Sequence, residues 1–348
     1  MSETAPTVSM SYRQEIVSKL FDYIQSTESF YIVGAASIGK TRLLDFLEKP
    51  GVKEYYLKDK SARTAIVRVD LNRLVATKDE IFDFFELMLS SLLLEFSKQK
   101  TDEKPELKQE LEQMTGIASQ VIQSRDPLLA VRLLELEVTR VCQIHDFKIC
   151  FFFDEFDETY RSARREIFAI LRAIRDANKP YLCYALFLRN LPVFLRKKSD
   201  LESFYELISR NLIGLGPYSR EDTLQIIREL EERRRHSLTP ELRDWLFHAS
   251  GGHPGMVLAL ISALIEDPAA GTKTNDIEWF AQQESVLEEC RKIWDGLTDE
   301  ERAGLKAFIE GSTDLPQQTL KILHAKGLLK RDTNTSFSPL FEWYVKDL

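Results

Sequence analysis

Cysteine is scarce in this chain: 348 residues hold four, at Cys142, Cys150, Cys183 and Cys290. They are scattered, and none belongs to a CxxC pair. Cys150 and Cys183 stand in strongly apolar runs, where a thiol serves as a small hydrophobe. Reduced core cysteines suit a cytoplasmic protein. Long apolar runs are missing too. No stretch reaches the length that spans a bilayer, and Met1–Glu15 carries no apolar signal core, so no membrane segment is expected and the location is read as cytoplasmic. A basic excess is also missing. Lys and Arg total 47 against 55 Asp and Glu, a net charge of −8. Phosphate contacts dominate nucleic-acid affinity, so dedicated nucleic-acid binding is not the default role. Internal repeats and low-complexity tracts do not occur.

What is present is the composition of a folded protein and a regular alternation of elements. The length suits two or three domains. Ile16, Leu20, Phe21 and Ile24 recur at helical spacing. The apolar run Phe30–Val33 stops at Gly34, as a buried strand feeding a glycine loop. Lys40–Leu47 reads as a helix with Leu43, Leu44 and Leu47 on one face. Further strands are predicted at Ala65–Val69, Lys148–Phe153, Tyr181–Leu188 and Leu212–Leu215. The nearly all-apolar Lys148–Phe153 has the pattern of a strand covered on both faces.

Residues 79–140 read as helical throughout, interrupted by the charged stretch Lys98–Lys108 around Pro105. That is too long for a simple crossover, so a helical insertion is expected at about 77–140. Another helix is predicted from about Ser162 to Asp176. Strands alternating with helices imply a parallel three-layer α/β core over residues 1–215. Past Gly216-Pro217 the strands stop. Residues 216–290 read as an all-helical domain with a break at Gly251-Gly252-His253-Pro254. Residues 291–348 read as two or three helices with a small hairpin, Leu328–Lys330 and Ser336–Ser338 about a polar turn, the pattern of a winged helix. Residues 1–10 are polar and expected to be loose.

Gly34-Ala35-Ala36-Ser37-Ile38-Gly39-Lys40-Thr41 fits GxxxxGK[ST] between a predicted strand and a predicted helix. Each residue type answers a physical need. Gly34 and Gly39 permit backbone angles that turn successive N–H groups inward. Those groups and the helix N-terminus behind them hold phosphate oxygens. Lys40 brings a compact positive charge to the β- and γ-phosphates, the Thr41 hydroxyl suits Mg²⁺, and Arg42 follows directly as a further nucleotide contact. A second element supplies carboxylates. The buried strand Lys148–Phe153 ends in Asp154-Glu155, at the C-terminal edge where ligands sit in open α/β sheets. Asp154 suits Mg²⁺, directly or through water, and Glu155 suits the general base for the attacking water. ATP and Mg²⁺ are therefore the expected cofactors.

With these motifs the chain resembles the AAA+ ATPases and their relatives, the STAND signalling NTPases. It looks most like the compact bacterial and archaeal ATPases with a P-loop core, helical lid and winged helix. The likeness runs from about Tyr12 to the C-terminus. It implies that the strand end Arg189-Asn190 carries a γ-phosphate sensor, Asn190 or Arg189, unless this is an ordinary polar strand end. It implies that Arg210 is an arginine finger reaching a neighbouring subunit, against the alternative of a surface salt bridge. Ser219, before Glu221-Asp222, is expected to cap the first lid helix. Gly251-Gly252-His253-Pro254-Gly255 is similar to the glycine-glycine-x-proline turn of STAND lids, which brings His253 and Pro254 to the nucleotide; a capping or turn histidine is the alternative. AAA+ proteins usually carry a sensor arginine near this turn, and its absence here favours a STAND-like switch. Tyr12-Arg13-Gln14-Glu15 is a degenerate form of the arginine-glutamate signature that opens many STAND domains. The basic run Arg161, Arg164, Arg165, Arg172 and Arg175 reads as a solvated helix face paired with acids rather than a nucleic-acid or subunit contact.

In the C-terminal unit the candidate recognition helix is Pro316–Lys326, with Gln317, Gln318, Lys321, His324 and Lys326 as polar contacts. The unit is slightly acidic and its wing, Lys330-Arg331-Asp332-Thr333, hardly basic. The aromatic residues Phe337, Phe341, Trp343 and Tyr344 read as core or partner surface. The resulting expectation is an ATP-driven conformational and oligomerisation switch that forms a homo-oligomer and hands off to a protein effector, in signalling or defence by family likeness. The rival is a DNA-associated AAA+ ATPase of the initiator or transposition-regulator kind, with DNA the less favoured partner.

Overall fold

The computed structural model describes residues 9–74, 79–98, 105–267, 269–312, 314–330, 332–333 and 335–348. Several expectations therefore fall outside the described residues: the loose residues 1–8, the start of the insertion at 77–78, most of the charged stretch (99–104) and the wing position Arg331.

The elements in chain order begin with helix α1 (Gln14–Ser26), strand β1 (Phe30–Gly34), α2 (Lys40–Leu47), α3 (Val52–Leu57) and β2 (Thr64–Asp70). Next come α4 (Glu80–Ser97), α5 (Pro105–Ser124), α6 (Pro127–Thr139) and β3 (Lys148–Asp154). After α7 (Asp157–Ser162) and α8 (Arg165–Ala177) follow β4 (Leu182–Leu188), α9 (Pro192–Leu195), α10 (Glu202–Ile208) and β5 (Leu212–Leu215). Helices then follow alone: α11 (Arg220–Arg234), α12 (Pro240–Ser250), α13 (Pro254–Glu266), α14 (Ile277–Ala281) and α15 (Glu284–Asp295). The last are α16 (Asp299–Ile309), α17 (Gln317–Ala325) and α18 (Pro339–Lys346). Two compact units emerge. One comprises Ser18–Ile32 and Leu44–Ile213; the other comprises Met1–Val17, Val33–Leu43 and Gly214–Leu348.

The first unit is built on the sheet, whose strand order is β2-β3-β4-β1-β5. β2 and β3 are parallel, in a register that runs from Thr64 opposite Lys148 to Asp70 opposite Asp154. β3 and β4 are parallel from Ile149 opposite Leu182 to Phe153 opposite Leu186. β4 is buried at every position and β3 at all but its first, as their apolar sequences require. Their side chains enter an aromatic cluster in which Phe153 meets Phe84, Phe156 and Tyr184, and Phe168 meets Tyr160 and Phe204.

Among the described residues, three α-helices, α4, α5 and α6, lie between β2 and β3, with the expected interruption before Pro105 and a further break at Arg125-Asp126. Asp79 caps α4 by accepting from the N–H groups of Ile81 and Phe82. Asp126 caps α6, with Pro127 at its first turn and Arg125 left-handed before it at φ 50°. The helix expected from about Ser162 to Asp176 is α8 and starts at Arg165, because α7 ends at Ser162 and Ala163 is extended. All four cysteines are free and buried, Cys150 and Cys183 within the apolar strands β3 and β4 as expected. Among the described residues no helix is long and apolar enough to cross a membrane.

The second unit holds the loop after β1 and all helices from α11 on. Caps set its helix starts. Ser219 accepts from Asp222 N–H, Thr239 from Leu242 N–H, and Thr298 forms a reciprocal capping box with Glu301. The sequence division at residue 290 falls inside α15. After α17 the chain doubles back through an antiparallel bridge of Leu329 with Ser336, supported by Lys330 N–H to Thr335 O at 2.8 Å and Phe337 N–H to Leu328 O at 3.1 Å. Phe337, Phe341 and Tyr344 are buried in the core, while Trp343 is half-buried.

Lys326 departs from expectation. It is not a surface contact of a recognition helix but lies 2.6 Å from Glu301, with both side chains fully buried. Gln317, Gln318 and Lys321 remain exposed on α17, while His324 Nδ1 lies 3.1 Å from the Leu329 carbonyl.

Candidate functional site: a phosphate-binding loop and an acidic strand end

β1 ends on Gly34 and α2 begins on Lys40, so Ala35–Gly39 form the predicted loop between strand and helix. Ser37 is left-handed at φ 52° and Gly39 at φ 94°. Gly34 is not left-handed. Its need is space, because a Cβ there would lie 2.7 Å from Ile38 Cγ2 and 3.0 Å from Leu215 Cβ. Gly39 needs both freedoms: a Cβ would meet the Tyr218 hydroxyl at 2.5 Å, and Pro254 Cγ at 3.6 Å. Ala35 and Ile38 are buried and anchor the loop, while Ser37 and Thr41 are exposed.

The loop's carbonyls are claimed one after another by side-chain donors. Buried Lys40 donates from Nζ to the Gly34 carbonyl at 3.1 Å and the Ala35 carbonyl at 3.4 Å. His253 Nε2 is 3.0 Å from the Ala36 carbonyl. Arg13 Nη2 donates to the Ile38 carbonyl at 2.9 Å. A trans peptide carries its N–H opposite its C=O. Holding these carbonyls on the protein side therefore turns N–H groups the other way, which is what an anion cradle requires.

His253 is both a cap and a loop contact. Its Nδ1 accepts from Met256 N–H at the start of α13. The proton of the neutral ring is thereby left on Nε2, which donates to Ala36. Burial, with the cations Arg13 and Lys40 adding to it, lowers the imidazole pKa to about 4, against the pull of the Ala36 bond. Pro254 opens α13 beside Gly39.

Arg13, of the degenerate arginine-glutamate signature, also serves the loop. It is buried, left-handed at φ 45°, and its guanidinium lies 4.2 Å over the Tyr218 ring. Its Nη1 donates to the Gly216 carbonyl at 2.8 Å. Tyr12 and Tyr218 share a hydroxyl hydrogen bond of 2.9 Å. Arg42 is paired with Glu229 of α11 at 2.5 Å.

The other unit carries the carboxylates. Asp154 closes β3 with its side chain buried. Arg68 of β2 bridges Asp154 Oδ2 at 3.0 Å and Asp45 Oδ1 at 2.9 Å. Asp154 Oδ1 is buried without a hydrogen-bond partner. Burial lifts the Asp154 carboxyl above its ordinary pKa while Arg68 pulls it down. Glu155 is left-handed at φ 54°, an unusual state for a side chain with a Cβ, and its carboxylate pairs with Arg189 at 2.8 Å. Asp157 is a structural acid: it accepts from the backbone N–H groups of Arg189 and Asn190. Arg210 is exposed and, among the described residues, makes no ion pair. The basic helix face is neutralised as expected: Arg161 pairs with Glu158, Arg164 with Glu166, Arg165 with Asp200, and Arg172 and Arg175 with Asp176.

Arg68 and Glu289, a buried acid of α15, are the site residues that sequence reading missed. Arg68 had a signal, as the one charge inside an apolar strand, two residues before its acidic end.

No protein-family model matches the chain, and no curated protein matches it. Solved structures do. A Walker-type ATPase of Pyrococcus abyssi superposes over 96% of this chain and 95% of its own, with TM-score 0.53 and 16% identity. The ORC2 protein of Aeropyrum pernix, in ADPNP-ADP complexes, covers 100% of this chain and 95% of its own, with TM-score 0.52 and 14% identity. The parallel sheet, the loop after its β1 strand and the helical extension thus give this chain the fold of the AAA+ P-loop ATPases.

Proposed function

We infer that the chain binds and hydrolyses Mg·ATP and uses the bound state to switch its conformation and self-association. The observation that carries this reading is the pair of loop carbonyls, Ala36 and Ile38, held by His253 and Arg13, which leaves N–H groups free to face an anion. The fold's solved relatives include an ATPase and a protein in ADPNP-ADP complexes, which supports adenine nucleotide as the ligand.

In this reading Lys40 exchanges its carbonyl partners for β- and γ-phosphate oxygens. Thr41 and Asp154 would hold Mg²⁺, and they suit it: both offer oxygen, and Asp154 keeps one buried oxygen without a partner. Bound magnesium neutralises phosphate charge. Glu155, steadied by Arg189, polarises water, and Asn190 beside it is the sensor candidate. Arg210, exposed, is the candidate finger toward a second copy. His253 and Glu229 link the loop and α2 to α13 and α11, so nucleotide occupancy bears directly on the helical lid. Downstream of that movement we place a protein effector in a STAND-like, cytoplasmic signalling role, with the C-terminal helices and hairpin serving as a winged helix.

A second reading, DNA-dependent assembly, is favoured by the exposed Gln317, Gln318 and Lys321 of α17. The burial of Lys326 removes one expected contact, and the net charge of −8 opposes it. ATP turnover and solution mass, each with and without duplex DNA, separate the two. Nucleotide-dependent assembly indifferent to DNA supports the switch. Turnover and assembly that require DNA overturn it in favour of the second reading.

A further inference from the structure

Glu289 is an acid set against a loop built to gather negative charge, and none of the roles above uses it. Its residue is 7% exposed, and its Oε1 has no hydrogen-bond partner. The carboxylate lies beside Ser37, the left-handed residue in the middle of the loop: both crowd the same point over Gly255. Gly255 makes that approach possible. A Cβ on Gly255 would lie 2.2 Å from Glu289 Oε1 and 2.7 Å from Ser37 Cβ, so any side chain there would force acid and loop apart. About two turns further on, at the end of α15, a Cβ on Gly296 would come 3.6 Å from Ala36 Cβ. The C-terminal half of α15 therefore flanks the loop with its acid turned inward. Burial raises the Glu289 carboxyl above its usual range, while Ser37 and Lys292 draw it down.

A carboxylate and a polyphosphate on the same loop repel each other, and partial burial leaves the repulsion poorly screened. We propose that Glu289 is an autoinhibitory latch: it competes with nucleotide phosphates for the loop, so that nucleotide binding must displace α15. That helix packs on α13 and on α18, which offers a route from the loop to the C-terminal helices. The inference rests on the nucleotide-binding reading of the same loop and adds a regulator to it.

The test is calorimetric titration of the full chain with Mg·ATP and Mg·ADP, for wild type, Lys40→Ala, Glu289→Gln and Glu289→Ala. Hydrogen exchange of residues 284–295, with and without Mg·ATP, is measured beside it on the wild type. Removing the charge is expected to tighten Mg·ATP binding about fivefold or more, with a smaller gain for Mg·ADP, which carries less charge. The α15 amides of the wild type are expected to lose protection when Mg·ATP binds. Should Glu289→Gln not fold, Glu289→Ala and the wild-type exchange decide. Lys40-dependent binding that is unchanged or weaker without Glu289, or α15 amides that gain protection, overturns the latch alone. Binding that ignores Lys40 overturns the nucleotide reading and the latch with it.

Discussion

His253 donates a hydrogen bond from Nε2 to the Ala36 carbonyl at 3.0 Å, and the same ring caps α13 through Nδ1. One neutral imidazole thus fixes both the bend of the loop and the start of the helix that packs beside it. Protonation would destroy the cap, because Nδ1 would then carry a proton where it must accept one.

That arrangement ties stability to pH. The unfolded imidazole titrates near 6.5 and the folded one, facing Arg13 and Lys40, near 4. Between these values the unfolded chain binds more protons than the folded one. His253 stabilisation is then complete above about pH 6.5 and is lost as the pH falls toward 4, to a total of roughly 3 kcal/mol. Urea unfolding at several pH values, for wild type and His253→Asn, measures it. The variant should lose most of this slope.

Arg13 serves the loop in a different way, by satisfying the Gly216 and Ile38 carbonyls at once. Arg13→Ala leaves both acceptors without that donor and removes the stacking on Tyr218. A loss of about 3 kcal/mol in unfolding free energy is expected. Arg13→Lys should recover only part, since a single ammonium cannot reproduce the two-pronged geometry.

Glu155→Gln keeps an acceptor for Arg189 but removes the base. Steady-state turnover should fall about 100-fold, with Mg·ATP affinity changed less than about threefold. A fall in affinity that matches the fall in turnover would instead make Glu155 a binding residue.

The buried pair Lys326–Glu301 makes a stability prediction independent of nucleotide. Lys326→Met leaves Glu301 charged and buried, at a cost of about 3 to 5 kcal/mol. Adding Glu301→Gln should recover most of that, because the amide oxygen can still accept from Thr298 N–H. Thermal melts of the single and double variants decide.

The sheet was legible because β1, β3 and β4 are apolar runs with abrupt polar ends, and β5 matched at both bounds. The loop was legible because phosphate binding tolerates few residue types between strand and helix. Local breaks were not. Nothing in the period of residues 162–176 marks the extended Ala163. Long-range polar partners were not legible either: Arg13 meets a carbonyl 203 residues away, and no local pattern encodes that. Lys326 was legible in principle. It stands three and four residues after buried Leu323 and Ile322, on the apolar face of α17, where a lysine needs an acid. Gly34 shows the reverse case, a correct motif residue whose reason is packing against Ile38 and Leu215 and not a left-handed angle.

Binding of Mg·ATP by the loop from Gly34 to Thr41 is the proposal on which the switch depends. Calorimetric titration of the wild type beside Lys40→Ala, with Mg²⁺ present and after its removal by chelation, decides it. Saturable binding by the wild type is expected, weakened by chelation and reduced about 100-fold or more by Lys40→Ala in a protein that melts normally. Binding of equal strength by both proteins, or none by a folded wild type, would contradict it.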